Sequence, residues 1–354
     1  KRMRWGIGSH SFLRPVEWLC VLLGDESIPL TCYGLIASHQ SVGHRFHAPM
    51  PLVIPQASAY VETLHAAHVM VDPAERKRVI IERARLLTKE VGGYVNIKPG
   101  LLEEISGLVE WAVPLLARFD ARFLAVPQEA LISAIEGHQK CIPVFDGSNT
   151  LLPYFIAVSN IDSTEPKQVV SGNERVMRAR LADAEFFYQT DSQTSLYSRY
   201  EQLKTIVFQA KLGSLYDKAE RMAALSADLA HSLGIDPRLA EQAARLCKID
   251  LMTTMVGEFP EVQGIMGSYY ALHDNQPEVI AMAIREHYLP QFSGDACPVT
   301  TLGQIIGLAD RIDTLVGIFG MGMAPTGDKD PYALRRAALG ILRILIESRL
   351  PFDL

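Results

Sequence analysis

The sequence predicts an α+β protein of more than one domain, with a mixed α/β part over residues 1–190 followed by an all-α part over residues 191–354. A chain of 354 residues is too long for one ordinary hydrophobic core. In the first part, short apolar runs bounded by turn residues alternate with helical patterns. From about Ser195 onward the strand signal nearly vanishes, and one helical pattern follows another.

The first part contains one well-specified helix and several short apolar runs. Asp72 is a good N-cap, Pro73 suits the first helical position, and Gly92-Gly93 ends the pattern. The runs Trp18–Leu23 and Leu151–Val158 are too short for periodicity to decide between buried strands and short helices. The predicted core stripe of the helix consists of Val79, Ile80, Leu86, Leu87 and Val91.

The second part is predicted to be a succession of helices separated by breaks that contain glycine or proline. For the last helix, Asp330 is the predicted cap and Pro331 lies in the first turn. The predicted helices are Tyr197–Tyr216, Lys218–Leu233, Pro237–Met255, Glu278–Tyr288, Leu302–Phe319 and Pro331–Arg349.

Composition and charge indicate a globular protein of the cytoplasm. The chain is 48% hydrophobic and 21% charged, and it contains no uncharged apolar run long enough to span a membrane. Its five cysteines are widely spaced and form no CxxC pair, which favours a reducing compartment over disulfides or a zinc knuckle. The net charge of −6 excludes a generally basic nucleic-acid binder but allows local basic faces. The chain opens on Lys1 without a signal-peptide pattern, which we interpret as a piece of a longer protein.

Two motifs that contain histidine are interpreted as structural. GHRFH (Gly43–His47) places two histidines three residues apart, but a metal would need a further ligand, so hydrogen-bonded imidazoles in a turn, or a polar contact surface, are favoured. In GHQKC (Gly137–Cys141) a lysine precedes a cysteine and could lower the pKa of its thiol. No catalytic partner is recognisable there, so a buried thiol is favoured.

A first basic segment, SGNERVMRARLADAEFF (Ser171–Phe187), holds three arginines within six residues. If the segment is helical, Arg175 and Arg178 share one face, a spacing that could follow phosphates, and Arg180 lies close by. Pairing of these arginines with neighbouring acidic side chains is an equally open alternative.

A second basic segment, PTGDKDPYALRR (Pro325–Arg336), joins a loop with Lys329 to a helix start with Arg335 and Arg336. Amide donors at a helix N-terminus together with these cations could bind a phosphate. The segment lacks the residue order of a nucleotide P-loop, so an RNA phosphate is a better ligand than ATP. A plain structural loop remains an open alternative.

The helical part resembles the scaffold of HD-type metal phosphohydrolases in the strings LYDKAERMAALSADLAHSLGID, AARLCKID, AIREHYLP and LADRIDTL. That scaffold normally offers a His, a His-Asp doublet and a later Asp to a divalent metal. In this sequence the first His falls on Lys218, the doublet on Cys247 and Lys248, and the final Asp on Asp310. Because a lysine ammonium cannot bind a metal and its charge opposes one, the resemblance implies a retained scaffold with a degenerate metal site.

Longer strings from Arg14 to Ile344 resemble the β subunit of the heterotetrameric bacterial glycyl-tRNA synthetase. The resemblance implies a B3/B4-like region in the first part and an HD-like domain in the second. It also implies a fragment that lacks the extreme N-terminus and the C-terminal anticodon-binding domain. The strings are RPVEWL, GHRFHAP, LVEW, GHQK, SGNERVMRARLADAEFF, VGEFPEVQGIMGSYYA, EHYLP and PTGDKDPYALRRAALG.

In that family the α subunit binds ATP and glycine, with Mg²⁺, and forms the adenylate, whereas β binds tRNA(Gly) within an α2β2 enzyme. The resemblance therefore implies a tRNA-positioning chain with no catalytic residue, metal or cofactor of its own, partnered by the α subunit. Two alternatives are an HD-type metal-dependent phosphohydrolase, which would need metal ligands at the degenerate positions, and a purely architectural or subunit-docking module.

Overall fold

The computed structural model describes residues 2–327 and 329–352. Its contacts divide the chain into two compact units. Unit 1 comprises Lys1–Ala121 and Ile135–Ala179, and unit 2 comprises Arg122–Ala134 and Arg180–Leu354. The mixture of small sheets and many helices confirms the predicted α+β class. The contact division falls earlier than the boundary expected near residue 190, and the domain assignment itself stays a prediction.

Unit 1 begins with four short antiparallel hairpins, each made of two neighbouring strands. The strands are only two or three residues long because Gly and Pro interrupt the chain every few positions. The strands are β1 (Met3–Arg4), β2 (Ser11–Phe12), β3 (Leu22–Leu23), β4 (Glu26–Ser27), β5 (Thr31–Cys32), β6 (Leu35–Ile36), β7 (Gln40–Val42) and β8 (Pro51–Val53).

The core of unit 1 is a three-stranded antiparallel sheet covered by helices. Its strands β9 (Val113–Arg118), β10 (Ile142–Phe145) and β11 (Leu151–Ser159) pair in the order β10-β11-β9. The central strand resolves the ambiguity left by the apolar run Leu151–Val158, which is a strand. The helices of this unit are α1 (Tyr60–Ala66), α2 (Pro73–Lys89) and α3 (Pro99–Leu108). The buried cluster between helices and sheet includes Ile80, Ala84, Leu101, Ile105, Val109, Ile142, Val144 and Ile156.

Helix α2 begins where the sequence predicted, but its buried side chains differ from the predicted core stripe. The Asp72 carboxylate accepts a hydrogen bond from the Ala74 amide at 2.8 Å, as an N-cap does. Leu86 was expected in the core, but it is 58% exposed. Ala84 is fully buried instead and belongs to the cluster between the helices and the sheet.

Unit 2 is mostly helical, and α5 (Pro166–Asp191) runs through the division between the two units. Its remaining helices are α4 (Gln128–Ser133), α6 (Leu215–Ser232), α7 (Pro237–Leu246), α8 (Thr254–Glu258), α9 (Ile265–His273), α10 (Glu278–Glu286), α11 (Thr301–Gly320) and α12 (Leu334–Glu347). Helices α6, α7, α10 and α11 pack against one another, while α12 packs on α11 through Leu308, Ile341 and Ile344.

The predicted helix Tyr197–Tyr216 is wrong. The chain forms a 3-10 helix over Leu196–Thr205 and then a hairpin of β12 (Val207–Gln209) and β13 (Gly213–Ser214), so the second part is not strictly all-α. Gly213 has a φ of +85°, which ends any helix there, and Ser214 begins α6 through a capping box with Asp217.

Helix α12 starts later than predicted. Its first residue is Leu334, so Pro331 precedes the helix. The predicted cap nevertheless acts on it, because the Asp330 carboxylate accepts the amides of Leu334 and Arg335 at 2.8 and 3.0 Å. Among the described residues, no helix combines the length and the apolarity that crossing a bilayer requires.

Candidate functional site

Three helices of unit 2 bring chemically active side chains to one point. Lys218 lies in the first turns of α6, which the Ser214 capping box fixes. Cys247 and Lys248 follow the end of α7, and Asp310 lies in the middle of α11. The structure thus places together four residues that are far apart in sequence and that the HD resemblance had singled out.

The centre is an aspartate held between two buried lysines. The Lys218 ammonium lies 2.9 Å from Asp310 Oδ1, and the Lys248 ammonium lies 2.7 Å from Asp310 Oδ2. The two lysines are only 3% and 5% exposed, and the side chain of Asp310 is 16% exposed. Lys248 also lies over the ring of Tyr288, with Nζ 4.0 Å from the ring centroid. We call these three charged residues the Lys–Asp–Lys centre.

A second carboxylate, that of Asp313, also contacts Lys218. The Lys218 ammonium donates to Asp313 Oδ2 at 3.2 Å and to the Thr314 hydroxyl at 2.8 Å. Arg221 binds both oxygens of Asp313, at 2.6 and 3.1 Å. Sequence reasoning missed Asp313, Thr314 and Arg221. The spacing of Asp310, Asp313 and Thr314 by three and four residues on one helix was the signal that could have indicated a shared face.

Burial and charge set the protonation states around the Lys–Asp–Lys centre. Burial opposes ionisation of Asp310, but the ammonium groups of Lys218 and Lys248 outweigh it and hold the pKa of this carboxyl well below its usual range. Burial raises the pKa of the Cys247 thiol to about 12, so it is not a thiolate at neutral pH. Burial, reinforced by Lys248, lowers the pKa of His287 well below its usual value, and its Nε2 has no hydrogen-bond partner among the described residues.

The donor set does not fit a divalent metal. Two of the four positions carry ammonium groups, which are not ligands, and a third carries a protonated thiol. Within residues 2–327 and 329–352, no group of three or more His, Cys, Asp or Glu side chains is arranged to hold a metal ion. That these positions derive from a metal site stays a prediction.

The segment Val256–Ala271 is organised by another buried acid, Asp250. Its Oδ2 accepts the amides of Gly264 and Gly267, the latter at 3.1 Å, and so holds the start of α9. Burial raises the pKa of the Asp250 carboxyl to about 6, although these two hydrogen bonds oppose the shift. Its Oδ1 has no partner among the described residues, so the acid is only half satisfied.

The arginines of α5 lie on its exposed side. Arg175 and Arg178 are exposed, and neither forms an ion pair within the part of the chain that the structure describes. Arg178 lines a cavity of about 320 Å³ together with Arg118 and Glu174. Arg180 is also exposed, but it lies 3.9 Å from Asp183, as the alternative interpretation expected for this segment.

The second basic segment keeps its cations near the start of α12. Lys329, Arg335 and Arg336 are all exposed. Arg335 donates to the Gly327 carbonyl at 2.6 Å, whereas the Arg336 side chain lines a cavity and has no hydrogen-bond partner among the described residues. Asp328, which belongs to the same motif, lies outside the described residues.

The two histidine motifs of unit 1 have the structural roles that were favoured. His44 is buried; its Nε2 donates to the Asn160 carbonyl at 2.6 Å, and its Nδ1 accepts the amides of Phe46 and His47. This is a turn built around a hydrogen-bonded imidazole. Cys141 is buried, and burial raises the pKa of its thiol to about 12, which excludes a reactive thiolate.

Comparison with known proteins places the whole chain in one family. The family model described as glycyl-tRNA synthetase beta subunit matches residues 1–354. The glycine–tRNA ligase beta subunit of Pseudomonas putida (strain W619) is 51% identical over 354 residues, which is 100% of this chain and 52% of that protein. The beta subunits of Pseudomonas fluorescens (strain Pf0-1) and Stutzerimonas stutzeri (strain A1501) are each 50% identical, with the same coverage. The chain thus spans about half the length of these relatives, and it belongs to the glycyl-tRNA synthetase beta subunit family.

Proposed function

We propose that this chain is a tRNA-binding part of a glycyl-tRNA synthetase β subunit and that it does not carry the amino-acid-activating chemistry. Its role is to position tRNA(Gly) for glycine attachment at an active site on the α subunit, where ATP and Mg²⁺ are used. The observation that carries the proposal is the pair of exposed arginines on α5. In a chain of net charge −6, Arg175 and Arg178 are one helical turn apart and have no acidic partner among the described residues.

Phosphate binding suits these arginines for a physical reason. Two guanidinium groups three residues apart on a helix are close enough to contact neighbouring phosphates of a nucleic-acid backbone. Such contacts release counterions, so they make binding depend on salt and carry little sequence preference. Arg180, Lys329, Arg335 and Arg336 are further candidates of the same kind.

The Lys–Asp–Lys centre supports a role other than hydrolysis. A metal-dependent phosphohydrolase needs a divalent cation that activates water, and here Asp310 is already neutralised by two ammonium groups at 2.9 and 2.7 Å. A cation approaching Asp310 would be repelled by Lys218 and Lys248. The Lys–Asp–Lys centre is therefore poorly suited to metal-dependent cleavage of a phosphate ester.

The test uses the full-length β subunit assembled with its α subunit. Binding of tRNA(Gly) is measured by fluorescence anisotropy over a range of salt concentrations for the wild type and for Arg175→Ala/Arg178→Ala. We expect weaker binding to every tRNA tested and a salt slope smaller by about 0.9 for each lost phosphate contact. Glycine-dependent exchange of pyrophosphate into ATP should stay unchanged, since that step needs no tRNA.

The matched control is Lys77→Ala/Arg78→Ala on α2. It removes two cations as well, but Lys77 is paired with Glu103 and Arg78 with Glu82. Tight binding and an unchanged salt slope in this control would assign the effect to α5 rather than to net charge. If the α5 variant binds tRNA as the wild type does, the proposal is wrong.

A further inference from the structure

A cavity of about 320 Å³ opens beside the Lys–Asp–Lys centre. One wall is α11, with Asp310 and Thr314, and another is formed by Tyr332, just before α12, and Arg336 in its first turn. The segment that follows α10 closes a third side. We call this cavity the Asp310 pocket. Its volume suits a small ligand or one group of a larger one.

The pocket has a positive balance although an acid lies in it. Among the described residues that line it, Asp310 is the only carboxylate, and Lys218 and Lys248 neutralise that carboxylate from the buried side. Arg311 and Arg336 are the lining cations. An anion in the pocket therefore meets more positive than negative charge, whereas a metal cation meets four positive groups around one acid.

Arg311 is held by hydrogen bonds to the main chain, whereas the Arg336 guanidinium is available to a ligand. The Arg311 guanidinium donates to four main-chain carbonyls, those of His287, Gly307, Tyr288 and Pro290, so both of its terminal nitrogens are already used. It runs past Gly340 of α12, where a Cβ would lie 2.6 Å from Arg311 Nε, which explains the glycine at this crossing. Arg336 has no such partner among the described residues and is exposed.

Uncharged hydrogen-bond donors also line the Asp310 pocket. Gln263, Gln291 and Tyr332 line the pocket, and none of their side chains has a hydrogen-bond partner among the described residues. One unpaired guanidinium, two amides and a phenol supply the donors that the several acceptor oxygens of a phosphate group need.

We propose that the Asp310 pocket binds the phosphate group of a phosphate ester, with Arg336 as the principal contact and the two buried lysines cancelling the charge of Asp310. The phosphate belongs either to an RNA strand or to a small molecule such as a mononucleotide, and the chemistry of the contact is the same. Only the RNA case depends on the function proposed above.

The experiment measures binding of inorganic phosphate and of AMP to the α2β2 enzyme by isothermal titration calorimetry, at constant ionic strength and without tRNA. AMP titrations are repeated with the α-subunit site filled by a non-hydrolysable glycyl-adenylate analogue. The variants are Arg336→Gln and, as the control, Arg349→Gln, which lies beyond α12 and does not line the pocket. Both residues are exposed, so both variants should fold, as circular dichroism would check.

We expect Arg336→Gln to weaken phosphate binding about tenfold or more, since a charge-assisted hydrogen bond is lost, and Arg349→Gln to leave it unchanged. In a separate titration with tRNA(Gly), displacement of bound phosphate would identify an RNA phosphate as the ligand, and retention of phosphate at saturating tRNA would identify a small phosphate ester. Equal phosphate affinity in the wild type and Arg336→Gln would overturn the inference. That result would leave the tRNA test on α5 unaffected, because the wild type and Arg336→Gln are compared in the absence of tRNA.

Discussion

Replacing Asp310 by asparagine removes the single carboxylate that two buried ammonium groups share. Lys218 would keep its contacts to Asp313 at 3.2 Å, to the Thr314 hydroxyl at 2.8 Å and to the main-chain carbonyl of residue 310 at 3.0 Å. Lys248 would keep the face of Tyr288, 4.0 Å away, and at most a hydrogen bond to the neutral amide oxygen that replaces the carboxylate. Most of the cost therefore falls on Lys248, which is 5% exposed and would be a buried charge that has lost its ion-pair partner.

The expected loss is about 3–5 kcal/mol of unfolding free energy, the usual cost of removing one partner from a buried ion pair. Urea unfolding followed by circular dichroism at 222 nm measures it, because unit 2 is mostly helical. Tryptophan fluorescence reports on unit 1 separately, since the three tryptophans are Trp5, Trp18 and Trp111.

A second substitution separates the charge effect from simple disruption. Lys248→Met in the Asp310→Asn background removes the stranded ammonium and should recover about 2 kcal/mol or more of the loss. The reasoning is refuted if Asp310→Asn costs less than about 1 kcal/mol, or if Lys248→Met makes the variant still less stable.

Three further predictions concern other described residues. Because the pKa of Asp250 is raised to about 6 in the folded state, its contribution to stability is present in acid and is lost as the pH rises through 6. The unfolding free energy of the wild type should therefore fall by about 1.4 kcal/mol between pH 5 and pH 8. Asp250→Asn should not show this fall. Urea titrations of both proteins at the two pH values check this, and parallel losses would contradict it. Asp72→Ala should lower the unfolding free energy by about 1 kcal/mol, because it removes the N-cap of α2. Urea unfolding followed by tryptophan fluorescence measures this change. An unchanged unfolding midpoint would show that the hydrogen bond contributes nothing. Because burial raises the pKa of the Cys141 and Cys247 thiols to about 12, iodoacetamide should alkylate both only after unfolding. Mass spectrometry measures the labelling. Rapid alkylation of either cysteine in the folded protein would contradict its burial.

Local sequence signals predicted the helices that have a capping residue in the sequence next to their first turn. Asp72 and Pro73 located the start of α2, and the breaks around residues 234–237 located the start of α7, because caps act within one turn. The prediction over Tyr197–Tyr216 was wrong because apolar and polar residues at helical spacing do not reveal a hairpin whose turn depends on one glycine. Leu86 was misplaced because several stripes on one helix satisfy the same periodicity, and only the position of the sheet selects among them.

The candidate site could be predicted only in part for a related reason. The contact between Lys218 and Asp310 joins residues 92 positions apart, and no local pattern specifies such a contact. The resemblance to a known helical scaffold supplied it. Asp313 and Arg221 were missed because charged residues at helical spacing usually face solvent, whereas here the side chain of Asp313 is only 8% exposed.

The Lys–Asp–Lys centre has one consequence for how the helical unit behaves in different solutions. The positive charges beside Asp310 are covalently part of the polypeptide, so they cannot dissociate on dilution and cannot be extracted by a chelating agent such as EDTA. The interior of this unit should keep its shape across the whole range of free magnesium and zinc that a cell experiences. Starvation for divalent ions, which unfolds many small metalloproteins, should leave this arrangement of helices intact.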